Sequence, residues 1–305
     1  MVYYIKKLAA SLVTLLIIIT IVFFMLRAIP GGPFSREKPL PEATRERLEA
    51  AYGLDKSNFE QYVVYMQNLA KGDLGPSFKN PAYKVQDLIK LGMPQTAKVG
   101  GIAVVFIISF GIVLGVISAL KSNTGVDYLV MVIATLGVTV PSFVVGSLFI
   151  LLAQNVDFIP VGGIESPIAF VGPVVALSGY SLAFVSRLTR SSMLEVLRQD
   201  YIRTARANGI SEFKVIFKHA LKNGLIPVVT YIGPMIAALL TGSFVVERIF
   251  VINGIGEYFT ASVQNRDYTL TIGITIFYAS FYIFMVFIVD ILYSFIDPRI
   301  KVGDR

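Results

Sequence analysis

The sequence has no cysteine and a single histidine, His219. Without thiols there can be no disulfide, thiolate zinc site, iron–sulfur cluster or cysteine nucleophile. One imidazole cannot build a histidine metal cluster and leaves little room for a histidine-driven triad. Charge is scarce too. Only 15% of the residues are Asp, Glu, Lys or Arg, against roughly 25% in an ordinary soluble domain. Apolar residues fill the space: 55% of the 305 residues, with a mean hydropathy of +0.69. A disordered chain does not carry that much apolar surface. The apolar residues come in unbroken blocks instead of the periodic stripes of a soluble fold, so the composition reads as a polytopic membrane protein.

A helix needs about 20 apolar residues to cross the hydrocarbon core. Six blocks qualify, at about 8–26, 99–120, 128–153, 168–186, 225–246 and 270–289. Backbone in lipid must satisfy its own hydrogen bonds, and these blocks lack the alternation of barrel strands, so they are expected to be helices. Lys6 and Lys7 precede the first block as they would in a signal peptide. The block is long for that role, however, and Arg27-Ala28-Ile29-Pro30 is a poor small-residue cleavage site, so an uncleaved span is expected.

Lys and Arg in short loops set the orientation. The stretch from Arg187 to Lys222 carries Arg187, Arg190, Arg198, Arg203, Arg206, Lys214, Lys218 and Lys222 against the acids Glu195, Asp200 and Glu212. The loop at 154–167 has no basic residue, and the loop at 247–269 has only Arg248 and Arg266. The loop at 187–224 is therefore expected on the cytoplasmic side, together with both termini. The expected organisation is a first transmembrane helix at 1–28, an extracytoplasmic helical cap at 29–98 and a five-helix core at 99–305. The net charge of +7 then reflects topology and contact with anionic lipid, and not nucleic-acid binding.

The centres of all six blocks lack Asp, Glu, Lys, Arg and His. Proton relays and voltage sensors need such groups at membrane depth. A sodium-coupled carrier working through broken helices stays open, but the absence points to energy entering from outside the membrane part. There is no paired carboxylate within the blocks, no HExxH or GxSxG to suggest an intramembrane enzyme, and no G-x-x-x-x-G-K-[ST] loop to cradle ATP. Small residues and helix breakers are present instead. Gly111 and Gly115 form a GxxxG expected to pack closely on another helix, while Pro141, Pro234 and Gly242 predict kinks.

The basic loop is unusually organised. Residues 200–208 read as a short helix with Asp200 as N-cap and Gly209 as a left-handed stop. Ser211 would cap a second helix, with Ile210 and Val215 as its hydrophobic staple. Tyr201, Ala205 and Gly209 would share one face, rimmed by Arg203, Arg206 and Lys214. That face suits either another protein's groove or a lipid surface. His219 reads as a helix-surface or interface residue. In the outer segment, residues 41–52 and 59–70 read as helices. The stripe Phe59, Tyr62, Val63, Met66 and Leu69 is expected to be the cap's own core.

Residues 200–227, DYIRTARANGISEFKVIFKHALKNGLIP, resemble the cytoplasmic coupling loop of ATP-binding-cassette importer permeases, specifically the peptide and nickel branch. Further stretches are similar to the same family in the same order: RAIPGGPF at 27–34, Tyr52 to Lys56 with Gln61-Tyr62, Gly72 to Ser77, the run 186–196, Glu247 to Phe250 with Gly254-Ile255-Gly256, and Asp297-Pro298-Arg299. One departure is Asn253, where the family usually has proline; Asn tolerates turn conformations.

The resemblance is nearest to the B-type permeases of oligopeptide importers. It implies an all-α polytopic fold of the type I importer kind, with six transmembrane helices and a small helical extracytoplasmic insertion after the first. It implies a non-enzymatic permease of the cell membrane, with no catalytic or metal residue and no cofactor of its own, ATP and Mg residing on partner subunits. The implied partners are a second homologous permease in a heterodimer, two cytoplasmic ATP-binding subunits, an extracytoplasmic peptide-binding protein and membrane lipid, with no nucleic acid. Oligopeptides are the implied cargo, with dipeptides or chelated nickel as alternatives in the branch and an ATP-independent carrier or channel as the reading outside it. By matching position, Asp200, Tyr201, Thr204, Ala205, Ala207, Gly209 and Pro227 would couple to the ATP-binding subunits, with the motion passed through Pro227 to the fifth span. Glu247, Phe250, Gly254 and Gly256 would form an outer gate loop.

Overall fold

The computed structural model describes residues 2–34 and 41–296. The Asp297-Pro298-Arg299 motif lies outside the described residues. In chain order the helices are α1 (Val2–Arg27), α2 (Glu42–Ala51), α3 (Asn58–Ala70), α4 (Val85–Leu120), α5 (Gly125–Thr139), α6 (Ser142–Ala153), α7 (Val171–Leu197), α8 (Asp200–Ala207), α9 (Glu212–Lys214), α10 (Leu221–Gly224), α11 (Ile226–Leu240), α12 (Phe244–Ile249), α13 (Ile255–Gln264) and α14 (Tyr268–Ile296). A 3-10 turn, Pro167–Phe170, leads into α7, and a π-helix, Val215–Ala220, joins α9 to α10.

Among the described residues, four helices are long and apolar enough to cross a membrane unaided, and two bent pairs raise the number to six. The fourth block extends as a helix to Leu197, so Arg187 and Arg190, assigned by sequence to a loop, stand on α7. Two of the expected single helices are corrected. The third block is α5 and α6, meeting at 105° across Val140-Pro141. Pro141 is the N-cap of α6 rather than a kink inside a continuous helix. The fifth block is only the fifteen residues of α11. It ends before Gly242 (φ +84°) and is bent 54° from the helical run that precedes it. Residues 85–98, expected in the outer cap, are the opening turns of α4.

The chain divides into two compact units. One takes in the chain up to Gln95 and Asn253–Phe284; the other comprises Thr96–Ile252 and Met285–Ile296. In the first, Ser57 caps α3 through a reciprocal box: its hydroxyl accepts from the Glu60 N–H, and Glu60 Oε2 accepts from the Ser57 N–H at 3.0 Å. Tyr62, Met66 and Leu69 of α3 pack on Ile19 and Phe23 of α1 and on Ile272 and Ile276 of α14. The expected stripe is therefore not the cap's private core. Its other members, Phe59 and Val63, are exposed, because α1 and α14 offer the larger apolar surface and take the neighbouring face of α3. Asp267 anchors the turn ahead of α4. It accepts from the Ser77 hydroxyl, from the Phe78 N–H at 3.1 Å and from the Leu270 N–H at 3.1 Å.

In the second unit α7 is the central element. On α4, a methyl added to Gly111 would lie 2.8 Å from Val185 Cγ1. One added to Gly115 would lie 2.5 Å from Thr189 Cβ and 2.6 Å from the Ser186 carbonyl. The GxxxG thus places two α4 turns in direct backbone contact with α7. On α5, a Cβ at Gly137 would come within 2.7 Å of the Gly179 carbonyl. These glycines let three helices approach with side chains from one partner only, or none, between them.

Candidate functional site

The basic segment is built outward from α7. Two residues, Arg198 and Gln199, separate α7 from α8. Gln199 occupies the N-cap of α8 with extended backbone and no side-chain cap bond. Asp200, expected as the cap, is the first helical residue, where its negative charge complements the positive end of the helix dipole and it pairs with Arg203 at 3.4 Å. Gly209 ends the helix at φ +73°, a conformation that costs a residue with a Cβ about 1–2 kcal/mol.

The α8 faces differ from those the spacing predicts. Ile202 and Ala205 are buried, in one cluster with Ala119 of α4, Met193 of α7, and Val215, Ile216 and Ala220 of the π-helix. Ala205 therefore looks inward and does not share a surface with Tyr201. Four-residue spacing put Ala205 beside Tyr201, but burying Ile202 turns the helix so that Ala205, three residues on, follows it inward. The exposed residues are Asp200, Tyr201, Arg203, Thr204, Arg206, Ala207, Asn208 and Gly209. Tyr201 is oriented by Asn223, whose Nδ2 donates to its hydroxyl at 2.8 Å. Arg206 forks onto Glu212 at 2.6 and 3.1 Å across the Gly209 turn, and that hydrogen-bonded carboxylate raises the pKa of the guanidinium.

Ser211 stands at the N-cap of α9 without a side-chain cap bond, and Ile210 packs on the cluster that holds Val215. His219 is half-buried in the π-helix. Met193 presses on Gly224, where an added Cβ would lie 2.5 Å from its sulfur. Pro227 falls in the first turn of α11, just beyond the 54° bend.

Sequence reasoning missed the strongest polar feature of the unit. Asp127, in the first turn of α5, is 1% exposed. Arg190 of α7 grips it with two bonds of 2.7 Å, Nε to Oδ1 and Nη2 to Oδ2. The Ser118 hydroxyl of α4 and the Asn123 N–H, at 2.9 Å, complete its shell. Asn123 takes φ +61° to aim that N–H, which Asn tolerates better than most residues. One turn earlier on α7, Arg187 Nη2 donates to the Ala134 carbonyl of α5 at 2.8 Å. Removing one partner from such a buried pair costs about 3–5 kcal/mol. A faint signal existed: Asp127 is a lone acid at the edge of a long apolar block, and such residues seldom stand unpaired.

The residues expected to form an outer gate loop are not a surface lid. Glu247 is 3% exposed and accepts from the Thr96 hydroxyl at 2.9 Å. Gly242 leaves space for this contact, since a Cβ there would sit 2.5 Å from Glu247 Oε1. Phe250 is buried against Phe149, Gly146 and Gly172, and its carbonyl accepts from the Gly163 N–H at 2.7 Å. In the other unit, Gly254 is the N-cap of α13 and Gly256 is buried in its first turn. The left-handed residue of this stretch is Val251, at φ +53°, and not Asn253.

Comparison with known proteins gives one consistent result. Residues 111–302 match the binding-protein-dependent transport system inner membrane component family. Residues 1–99 match the N-terminal region of the membrane components of such systems. The chain is 45% identical over 304 residues to the dipeptide transport system permease of Bacillus subtilis, covering 99% of each chain. It is 42% identical over 302 residues to the oligopeptide transport system permease of Salmonella typhimurium, covering 98% of this chain and 99% of that one. A solved inward-facing MetNI methionine ABC transporter chain aligns with a TM-score of 0.56, covering 70% of this chain and 97% of that one. At 16% identity, that likeness is one of fold.

Proposed function

The chain belongs to the family of binding-protein-dependent inner membrane transport components and is the permease subunit of an ATP-binding-cassette importer, and we propose that its cargo is a short peptide. ATP hydrolysis in this family belongs to other subunits, and a substrate-binding protein supplies the cargo. The observation that carries the peptide reading is the 45% and 42% identity, along essentially the whole chain, to a dipeptide and an oligopeptide permease. Oligopeptides are the preferred cargo, with dipeptides the neighbouring alternative.

The finer assembly follows from the same reading. This chain pairs with a second homologous permease, two ATP-binding subunits dock from the cytoplasm, and an extracytoplasmic peptide-binding protein delivers cargo. Both termini and the 187–224 segment face the cytoplasm, in keeping with the basic residues there. The ATP-binding subunits would grip the outward face of α8: Asp200, Tyr201, Thr204, Ala207 and Gly209. Ala205 acts beneath that face by seating α8 on its core, and Pro227 sets the start of α11. The role of these residues is contact and geometry, since no titratable group on α8 is buried.

Reconstitution tests this. The assembled complex in liposomes should import labelled trialanine only with ATP and the binding protein. Tyr201→Arg should release the ATP-binding subunits during purification. Trialanine uptake by this chain alone, driven by an ion gradient, would show a secondary carrier instead.

A further inference from the structure

We propose that Asp127 and Arg190 are positioning residues that lock α4, α5 and α7 into one lever arm, so that motion of α8 enters the membrane through α7. This rests on the reading that the ATP-binding subunits dock on α8.

The argument compares the two ways out of α8. Toward the amino end, α8 joins the unbroken 27-residue helix α7 through two residues. That helix is fixed to its neighbours twice over. Gly111 and Gly115 bring α4 against it with no room for a methyl. The Arg190 fork holds Asp127 of α5, while Ser118 of α4 and the Asn123 N–H of the connecting turn hold the same carboxylate. A bidentate pair fixes direction as well as distance. Arg187 adds a second rung at Ala134. The cluster of Ala119, Met193, Val215, Ile216 and Ala220 then seats Ile202 and Ala205 of α8 on α4, α7 and the π-helix.

Toward the carboxyl end the chain is jointed. It passes the left-handed Gly209, three residues of α9, six residues of π-helix, the four residues of α10, held against Met193 at Gly224, and a 54° bend before α11 begins. The π-helical stretch has wider hydrogen-bonded turns and is a common site of adjustment. A displacement applied at α8 is transmitted along the stiff route, and α11, packed on α4 and α7 through Ile107, Val185, Val228, Met235 and Leu239, is carried with it.

Packing alone does not require a buried ion pair, since a well-fitted apolar pair often serves stability as well or better. What the fork supplies is a fixed register between α5 and α7, as polar pairs do between other helices.

The test uses the assembled transporter in liposomes. Complex assembly, ATP turnover and trialanine uptake are measured together. Asp127→Asn keeps the side-chain shape and should leave assembly and ATP turnover near wild type while uptake falls. The ATP consumed per peptide should rise about tenfold, as expected for loss of a typical coupling free energy. The exchange Asp127→Arg with Arg190→Asp should recover part of the ratio. If Asp127→Asn fails to assemble, the apolar double variant Asp127→Leu with Arg190→Met restores packing without the fork and should be uncoupled. A double variant with a wild-type ratio overturns the proposal, as does an Asp127→Asn complex whose ATP turnover and uptake fall in proportion. Failure of the docking reading looks different: Tyr201→Arg would then assemble and couple normally, whatever the clamp variants do.

Discussion

The two flanks of α8 solve opposite mechanical problems with the same residue types. On the α7 flank, glycines are used for closeness. Gly111, Gly115 and Gly137 remove side chains so that helices touch, and one buried carboxylate pins the contact. On the α11 flank, Gly224 is again used for closeness, against Met193, but Gly209 is used for conformation. Gly209 takes a positive φ, and a Cβ added there would meet open space. A glycine's meaning in a membrane helix is therefore set by what its missing methyl would strike, and composition alone does not separate a weld from a joint.

The most forceful way to break this contrast is a bulky side chain at Gly115. Gly115→Leu must push apart Thr189 and the Ser186 carbonyl and should cost about 3 kcal/mol, read as a lowered thermal midpoint in detergent. Gly101→Leu, on the same helix but facing open space, should leave the midpoint within about 0.5 kcal/mol of wild type or above it. An equal loss at both positions would mean that closeness to α7 is not what Gly115 supplies.

A smaller effect is expected at the joint. Gly209→Val should cost about 1–2 kcal/mol from the left-handed backbone alone, and Gly209→Asn should recover most of it. A Gly209→Val loss as large as that of Gly115→Leu would make the α11 flank as rigid as the other. The smallest change is expected from Glu212→Gln. It removes an exposed pair with Arg206, worth about 0.2–1 kcal/mol, and the difference should vanish in high salt because exposed charges are screened. A loss that persists in high salt would mark a structural brace across the turn.

Much of this was legible in the sequence, and the misses share a cause. Four of the six apolar blocks, the short helix before Gly209, the stop at that glycine and the GxxxG follow from local rules and appear where those rules put them. What local rules cannot supply is partnership across distance. Arg190 and Asp127 are 63 residues apart, so Arg190 was counted with the loop charges instead of as one half of a clamp. Ala205 was assigned to an outward face by its spacing from Tyr201, whereas the pocket among Met193, Ile216 and Ala220 turns it inward. Glu247 and Phe250 lay in a stretch with the composition of a surface loop, yet both fill space that Gly242, Gly146 and Gly172 leave for them. Proline at 141 announced a disturbance, but proline kinks are usually modest, and nothing local distinguishes a kink from a corner of 105°.

That corner has a further consequence for hydration. The nitrogen of Pro141 carries no hydrogen, so the Gly137 carbonyl loses the donor that a continuous helix would give it. Hydrocarbon tails cannot replace that donor, and bare carbonyl oxygen is not left facing them. Gly179 of α7 supplies the cover: with no side chain there, the Gly137 carbonyl lies 3.4 Å from where a Cβ would stand, and polypeptide rather than lipid or water shields it.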